Sequence, residues 1–125
     1  MKYNYSYLKS KMVAVIFEVI PRTEYKQEYL EIAADLKSEL IKMDGFISIE
    51  RFVSLQDSNK ILSLSFWRDE ASVSRWRMMK EHRRAQKKGR TVIFEDYRLR
   101  VAGVIRDYGM HERDQAPIDG RRIHD

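Results

Sequence analysis

The stretch Val13-Ala14-Val15-Ile16-Phe17-Glu18-Val19-Ile20, followed by Pro21, decides the fold. β-Branched and aromatic side chains suit a pleated surface, and a proline ends the ladder, so the stretch reads as a strand. Successive strand residues point to opposite faces. Val13, Val15, Phe17 and Val19 take one face, and Ala14, Ile16 and Ile20 take the other. Both faces are apolar, so this strand needs cover on two sides.

Working outward, Thr23 is placed to cap a helix. Tyr25, Tyr29, Ile32, Leu36, Leu40 and Met43 recur at three- and four-residue steps, with Glu28, Glu31, Asp35, Lys37 and Glu39 between them. That spacing predicts an amphipathic helix of about five turns, ended by Asp44-Gly45. Phe46–Leu55 alternates, Ile47, Ile49, Val53 and Leu55 against Ser48, Glu50 and Ser54. After a turn at Gln56-Asp57-Ser58-Asn59, Ile61–Trp67 alternates Leu62, Leu64 and Phe66 against Ser63 and Ser65. The two runs predict an antiparallel hairpin. Asp69 is expected to cap a second helix running to about Lys88 and ended by Gly89, and Phe94–Tyr108 is expected to be the last strand.

The order β-α-β-β-α-β predicts an α+β, ferredoxin-like sandwich: a four-stranded antiparallel sheet with both helices on one face. The uncovered face of that sheet is apolar too, and a second copy of the chain is the simplest cover. A homodimer packed sheet to sheet is therefore expected. The domain is expected over residues 12–110, with a flexible leader at 1–11 and a polar tail at 111–125.

Composition excludes several classes. The chain has 125 residues, 43% hydrophobic and 11% aromatic, which is one folded domain and not a disordered chain. It has no cysteine, which removes disulfides, Cys-ligated metal and a thiol nucleophile, and fits a cytoplasmic protein. The longest apolar run, Met12–Phe17, falls far short of the ~20 residues of a membrane span, so no membrane association is expected. The net charge is +5, and from Asp69 to Arg90 there are eight basic residues against three acidic, so the whole excess sits on that segment. A charge run on a helix is usually a solvated face.

Strand one, the Asp44-Gly45-Phe46 junction, Ser65-Phe66-Trp67-Arg68-Asp69-Glu70 and the helix from Val73-Ser74-Arg75-Trp76 to His82 resemble the antibiotic biosynthesis monooxygenase domain. Phe94-Glu95-Asp96-Tyr97-Arg98-Leu99-Arg100-Val101 with Arg106-Asp107-Tyr108-Gly109 is similar to a small branch of it. The resemblance covers about residues 12–110. It implies a dimeric α+β barrel. Activities in the family range from oxygenation of polyketide quinone precursors without metal or cofactor to haem cleavage. The haem-degrading branch carries an Asn late in strand one, a Trp on the second helix and a His ten positions later. Here Glu18, Trp76 and Gln86 stand at those positions, so two of the three depart. Gln is a poor iron ligand beside imidazole.

Among residues able to carry chemistry, His82 leads, because an unperturbed imidazole exchanges a proton near neutral pH. At ~100° per residue, Val73, Trp76 and Met79 set the inward direction of the second helix. His82 falls at its edge, beside Met79 and one turn before Gln86. Such an edge lines a pocket or simply packs half-exposed. Glu18, in an apolar strand, is a second proton acceptor if its pKa is raised; the alternative is an ion pair with Arg51 or Arg100. Trp67 and Trp76 wall a pocket for a flat ring or fill the core. Arg98, Arg100 and Arg106 share one parity and hold an enolate or carboxylate, or form a solvated row. No G-x-S-x-G elbow, G-x-G-x-x-G, P-loop or His-x-x-x-His pair occurs. No metal and no cofactor are expected.

The reading is a cofactor-independent monooxygenase of the antibiotic biosynthesis type. Its catalytic candidates are His82 and Glu18, and its substrate-binding candidates are Trp76, Met79, Gln86, Trp67 and Arg100. The ligand is a small aromatic or quinone-like molecule. The alternative is a non-catalytic ligand-binding dimer of the same fold. RNA-recognition domains share the element order, but Ile61–Phe66 lacks their glycine and aromatic pattern, so no nucleic-acid partner is expected.

Overall fold

The computed structural model describes residues 12–86 and 93–118, with side chains described for 12–79 and 93–118. The elements are β1 (Val13–Pro21), a 3-10 turn (Thr23–Tyr25), α1 (Lys26–Leu40), β2 (Phe46–Val53), β3 (Ile61–Trp67), α2 (Glu70–Gln86) and β4 (Phe94–Gly103). The sheet is antiparallel with order β2-β3-β1-β4, so the expected ferredoxin-like sandwich is present. The two-faced strand β1 is central, between β3 and β4.

The register lays four rows across the face that meets the helices. They are Phe46–Trp67–Val13–Gly103, Ile49–Ser65–Val15–Val101, Arg51–Ser63–Phe17–Leu99 and Val53–Ile61–Val19–Tyr97. Two apolar clusters tie this inner face to the helices. Tyr29 packs with Val19, Ile61 and Ile93 at one end, and Leu40, Trp67 and Val73 pack together at the other. Trp67 is 1% exposed. Its indole N–H donates to Ser65 Oγ at 2.9 Å, so a buried polar group is satisfied.

The alternation of β3 turns its serines, not its leucines, toward the helices. Ser63 and Ser65 are buried, 8% and 7% exposed, under the helices. Leu62, Leu64 and Phe66 are half-buried on the outer face. Ile61 and Trp67, at the ends of the serine row, carry the burial that fixes the parity. The outer face therefore holds Ile16, Leu62, Leu64, Phe66 and Phe52 without a covering helix or strand among the described residues.

Other differences are local. Thr23 makes no side-chain cap and opens a 3-10 turn instead, so α1 starts three residues later and runs 15 residues, about four turns. A bulge between Phe46 and Ser48 throws Ile47 out of the alternation, and Ile47 and Leu55 are both exposed. β4 stops at Gly103, and residues 104–118 form turns and loop. Lys88 and Gly89, the expected end of α2, lie outside the described residues, as does the 1–11 leader.

The α1–β2 and β3–α2 junctions are locked to each other. Gly45 has φ +89°, a region that L side chains rarely adopt. A Cβ there would meet Ser72 Oγ and stand 2.6 Å from Ser72 Cβ. The Arg68 guanidinium donates to both Asp44 oxygens at 3.0 Å, and the Arg68 backbone N–H donates to the Gly45 carbonyl at 2.7 Å. Asp69 caps α2 as expected: its Oδ1 accepts from the Ser72 backbone N–H at 2.9 Å and from the Ser72 hydroxyl at 2.6 Å. Those Ser72 bonds, hydroxyl first, push the Asp69 carboxyl down to about 2.

Gly45→Ala should lower stability by about 2–3 kcal/mol, because backbone strain and the Ser72 clash act together; the midpoint of urea unfolding measures it. Because the Asp69 pKa is depressed in the fold, its contribution is present above the ordinary value of 3.8 and is lost as pH falls toward about 2. Asp69→Asn should therefore flatten the stability–pH curve between about pH 4 and pH 2, read as thermal midpoints at stepped pH.

Candidate functional site

The inner face is unevenly covered. Over β3 and the β3-side of β1 the helices close it. Over β4 they do not: Tyr97 is 59%, Leu99 49% and Val101 44% exposed. These three share a face with Val15, Phe17 and Val19 of β1. The result is a cleft with an apolar floor, open along β4.

Aromatic rings close one end of this cleft. The Phe17 ring lies 5.7 Å from Tyr97 and 6.0 Å from Phe94, and Phe94 lies 5.9 Å from Tyr97 and 5.7 Å from Tyr29. Most of these contacts are edge-to-face, the arrangement that ring quadrupoles favour. Toward the other end, Trp76 of α2 is half-buried and packs against the Leu40–Trp67–Val73 cluster. Val13 and Val15 of β1 pack against the same cluster. Met79, one turn on, is 39% exposed, at the rim rather than in the core. His82 and Gln86 belong to α2, but their side chains lie outside the described residues.

The remaining predicted site residues are elsewhere. Trp67 is core. Glu18 and Arg100 are on the outer face, across the sheet from Phe17 and Trp76, so they share no site with α2. Glu18 Oε2 is 3.2 Å from Lys60 Nζ, and its Oε1 accepts from Arg100 Nη1 at 3.2 Å. The bond and charge of Lys60, with Arg100 adding to them, hold the Glu18 carboxyl below the ordinary carboxylate range despite some desolvation. Of the two readings of Glu18, the ion pair with Arg100 is the one present, and the pKa is lowered rather than raised because the two cations outweigh the apolar strand. Arg51 cannot pair with Glu18, because it faces the helices and its Nη2 donates to the Ala33 carbonyl at 3.5 Å. Beside Glu18 and Lys60, the outer face has a shallow hollow of about 240 Å³ lined also by Phe52, Val53, Ser54 and Leu62.

Sequence reasoning missed Phe17, Phe94 and Tyr97 as a group, and Leu99 and Val101 as an uncovered floor. The available signal was the pairing of the first strand with the last, which brings same-parity residues about 80 positions apart into one surface. Among the described residues, no three His, Asp or Glu gather in a set able to hold a metal ion, and no helix is long and apolar enough to cross a membrane.

Comparison with known proteins now bears on this geometry. A jasmonate monooxygenase of Pyricularia oryzae is 52% identical over 115 residues, covering 91% of this chain and 54% of that protein. The chain thus spans about half the length of that relative. An uncharacterised Bacillus subtilis protein, YqjZ, is 33% identical over 94 residues, covering 74% of this chain and 79% of its own length. Among solved structures, SnoaB, a cofactor-independent oxygenase from Streptomyces nogalater, superposes with a TM-score of 0.63 at 11% identity, covering 78% of this chain and 96% of SnoaB. At that identity the likeness speaks for the fold alone. With the family's model matching residues 12–88, this chain belongs to the antibiotic biosynthesis monooxygenase family.

Proposed function

We propose that the chain is a monooxygenase of this family's type, working as a homodimer joined through the outer faces of its sheets. The observation that carries the reading is the uncovered apolar floor Tyr97–Leu99–Val101, flanked by Phe17 and Phe94. A flat ring gains dispersion and edge-to-face contact on such a surface while its polar rim stays accessible.

The chemistry needs a carbon acid and a base. A base on the inner edge of α2 takes a proton from a ring carbon next to a carbonyl, and the carbanion reduces dioxygen. For a ring methylene the step balances as CH2 plus O2 giving C=O plus H2O, with no outside reductant. His82 is assigned as that base, with Trp76, Met79 and Gln86 along the same helix contacting the ring. Glu18 and Arg100, paired on the outer face, serve the contact between copies and not the chemistry. The substrate class is a small ring compound with an activated carbon. The name of the fungal relative adds jasmonate, a cyclopentanone acid, to the aromatic and quinone-like rings worth testing. A cysteine-free chain suits the reducing cytoplasm, the compartment we assign.

Oxygen-electrode assays with anthrone-type rings and with jasmonate test the reading. Uptake should fall by roughly 100-fold or more in His82→Ala, the usual worth of a general base. Trp76→Ala should raise KM by about 10-fold, the loss of one stacked ring contact with a value near 1.4 kcal/mol. Uptake unchanged in His82→Ala would remove that residue from the mechanism. Ring ligands that bind without oxygen consumption would make the protein a binding module instead.

A further inference from the structure

The side chains that β1 and β4 present to the cleft are apolar except at one position. Val15, Phe17, Val19, Leu99 and Val101 carry no hydrogen-bonding group, whereas Tyr97 carries a phenol. Its ring is held in place: the centre stands 5.7 Å from that of Phe17 and 5.9 Å from that of Phe94. Phe94 is backed in turn by Tyr29, which is buried. The backbone is fixed as well, because Tyr97 pairs with Val19 and its N–H donates to Asp96 Oδ1 at 2.9 Å. Yet Tyr97 is 59% exposed, and its hydroxyl makes no hydrogen bond among the described residues. An anchored ring with a free donor at its tip needs no reordering when a ligand oxygen arrives.

The course of α2 leads to the same end of the cleft. The helix starts beside Gly45 and Trp67, and β4 starts opposite Pro21, so α2 runs from the Val13 end of β1 toward the Pro21 end. From Glu70 to His82 a helix advances ~18 Å, at ~1.5 Å per residue. From Val13 to Val19 a strand spans ~20 Å, at ~3.4 Å per residue. The turn of α2 that carries His82 therefore reaches about the level of the Val19–Tyr97 pair. When a ring carbon loses a proton, the C–H bond breaks and the proton bonds to the base. The electron pair spreads into a conjugated carbonyl, giving an enolate with its charge on oxygen. An unpaired anion over an apolar floor is costly. We infer that the Tyr97 hydroxyl donates to that oxygen, to the carbonyl of the bound ring and more strongly to the enolate, which makes Tyr97 a catalytic residue. The substrate is then a ring ketone whose acidic carbon is conjugated with its carbonyl; a ring without the carbonyl binds and is not activated.

The inference rests on the inner-face carbanion reading proposed above, but its test needs no oxygen. Tyr97→Phe keeps the ring contacts with Phe17 and Phe94 and removes the hydroxyl alone. Anthrone under argon is the probe, because its enolate absorbs visible light and nothing is present to oxidise it. Anthracene, followed by its own fluorescence, reports binding of a ring without the carbonyl. Wild-type protein should raise the enolate fraction of bound anthrone about 10-fold or more over free anthrone at the same pH, and Tyr97→Phe should lose most of that gain. Both proteins should bind anthracene equally. An equal enolate gain in the two proteins overturns the inference, as does a wild-type protein that gives none. Anthracene binding weakened in Tyr97→Phe as much as the enolate gain would make the phenol structural and overturns it too. If the gain depends on Tyr97 while no oxygen uptake is found in air, the Tyr97 assignment stands and the oxygenase reading alone fails. Oxygen uptake unaffected by Tyr97→Phe gives the reverse.

Discussion

The contact between Gly45 and Ser72 governs where everything functional ends up. A glycine in the left-handed region lets the turn before β2 approach the first turn of α2 closely, with no side chain in between. Arg68 then bolts the two junctions together through Asp44, while Asp69 holds Ser72 from the other side as a helix cap. The direction of α2 is therefore fixed at its N-terminus. Trp76, one turn beyond Ser72, inherits that direction and packs on the Leu40–Trp67–Val73 cluster. None of these ion pairs is buried enough to count for much alone; their value is geometric, because they set an angle.

The order of elements was legible because each carries a strong local signal: β-branched runs in β1, Gly45 after α1, Asp69 before α2. The direction in which β3 faces was not. Leu62, Leu64 and Phe66 look like a core stripe beside Ser63 and Ser65, and periodicity alone cannot say which side the helices choose. Ile61 and Trp67, sharing the serine parity, decide it by their larger burial at both ends of the strand. The same limit applies to Glu18. Its apolar neighbours in sequence suggested a raised pKa, whereas Lys60, 42 positions away, and Arg100, across the β1–β4 ladder, dominate its electrostatics.

Those two facts change what the outer face is for. With leucines and a phenylalanine turned outward around an ion-paired carboxylate, it is the surface we propose for the contact between copies, and the inner face is the one we propose for the chemistry. The residues of the sequence reading thus sort by side. Trp76 and Met79 lie on α2, the helix that also carries His82 and Gln86; Glu18 and Arg100 go to the outer face; Trp67 goes to the core. Of the basic segment, Arg75 and Arg77 of α2 are described, and both are exposed to solvent.

The central position of β1 has a consequence for biosynthesis. Its two neighbours are β3 and β4, and Val13 pairs with Gly103, 90 residues further on. On the ribosome the most apolar strand emerges first of the four, and its last partner emerges last. Until then one edge of β1 remains unpaired, a state prone to capture by other chains. Non-local pairing of this kind slows folding relative to helical proteins of equal length. Assembly of the domain is in effect clocked by the arrival of β4, the same strand whose exposed floor forms the cleft.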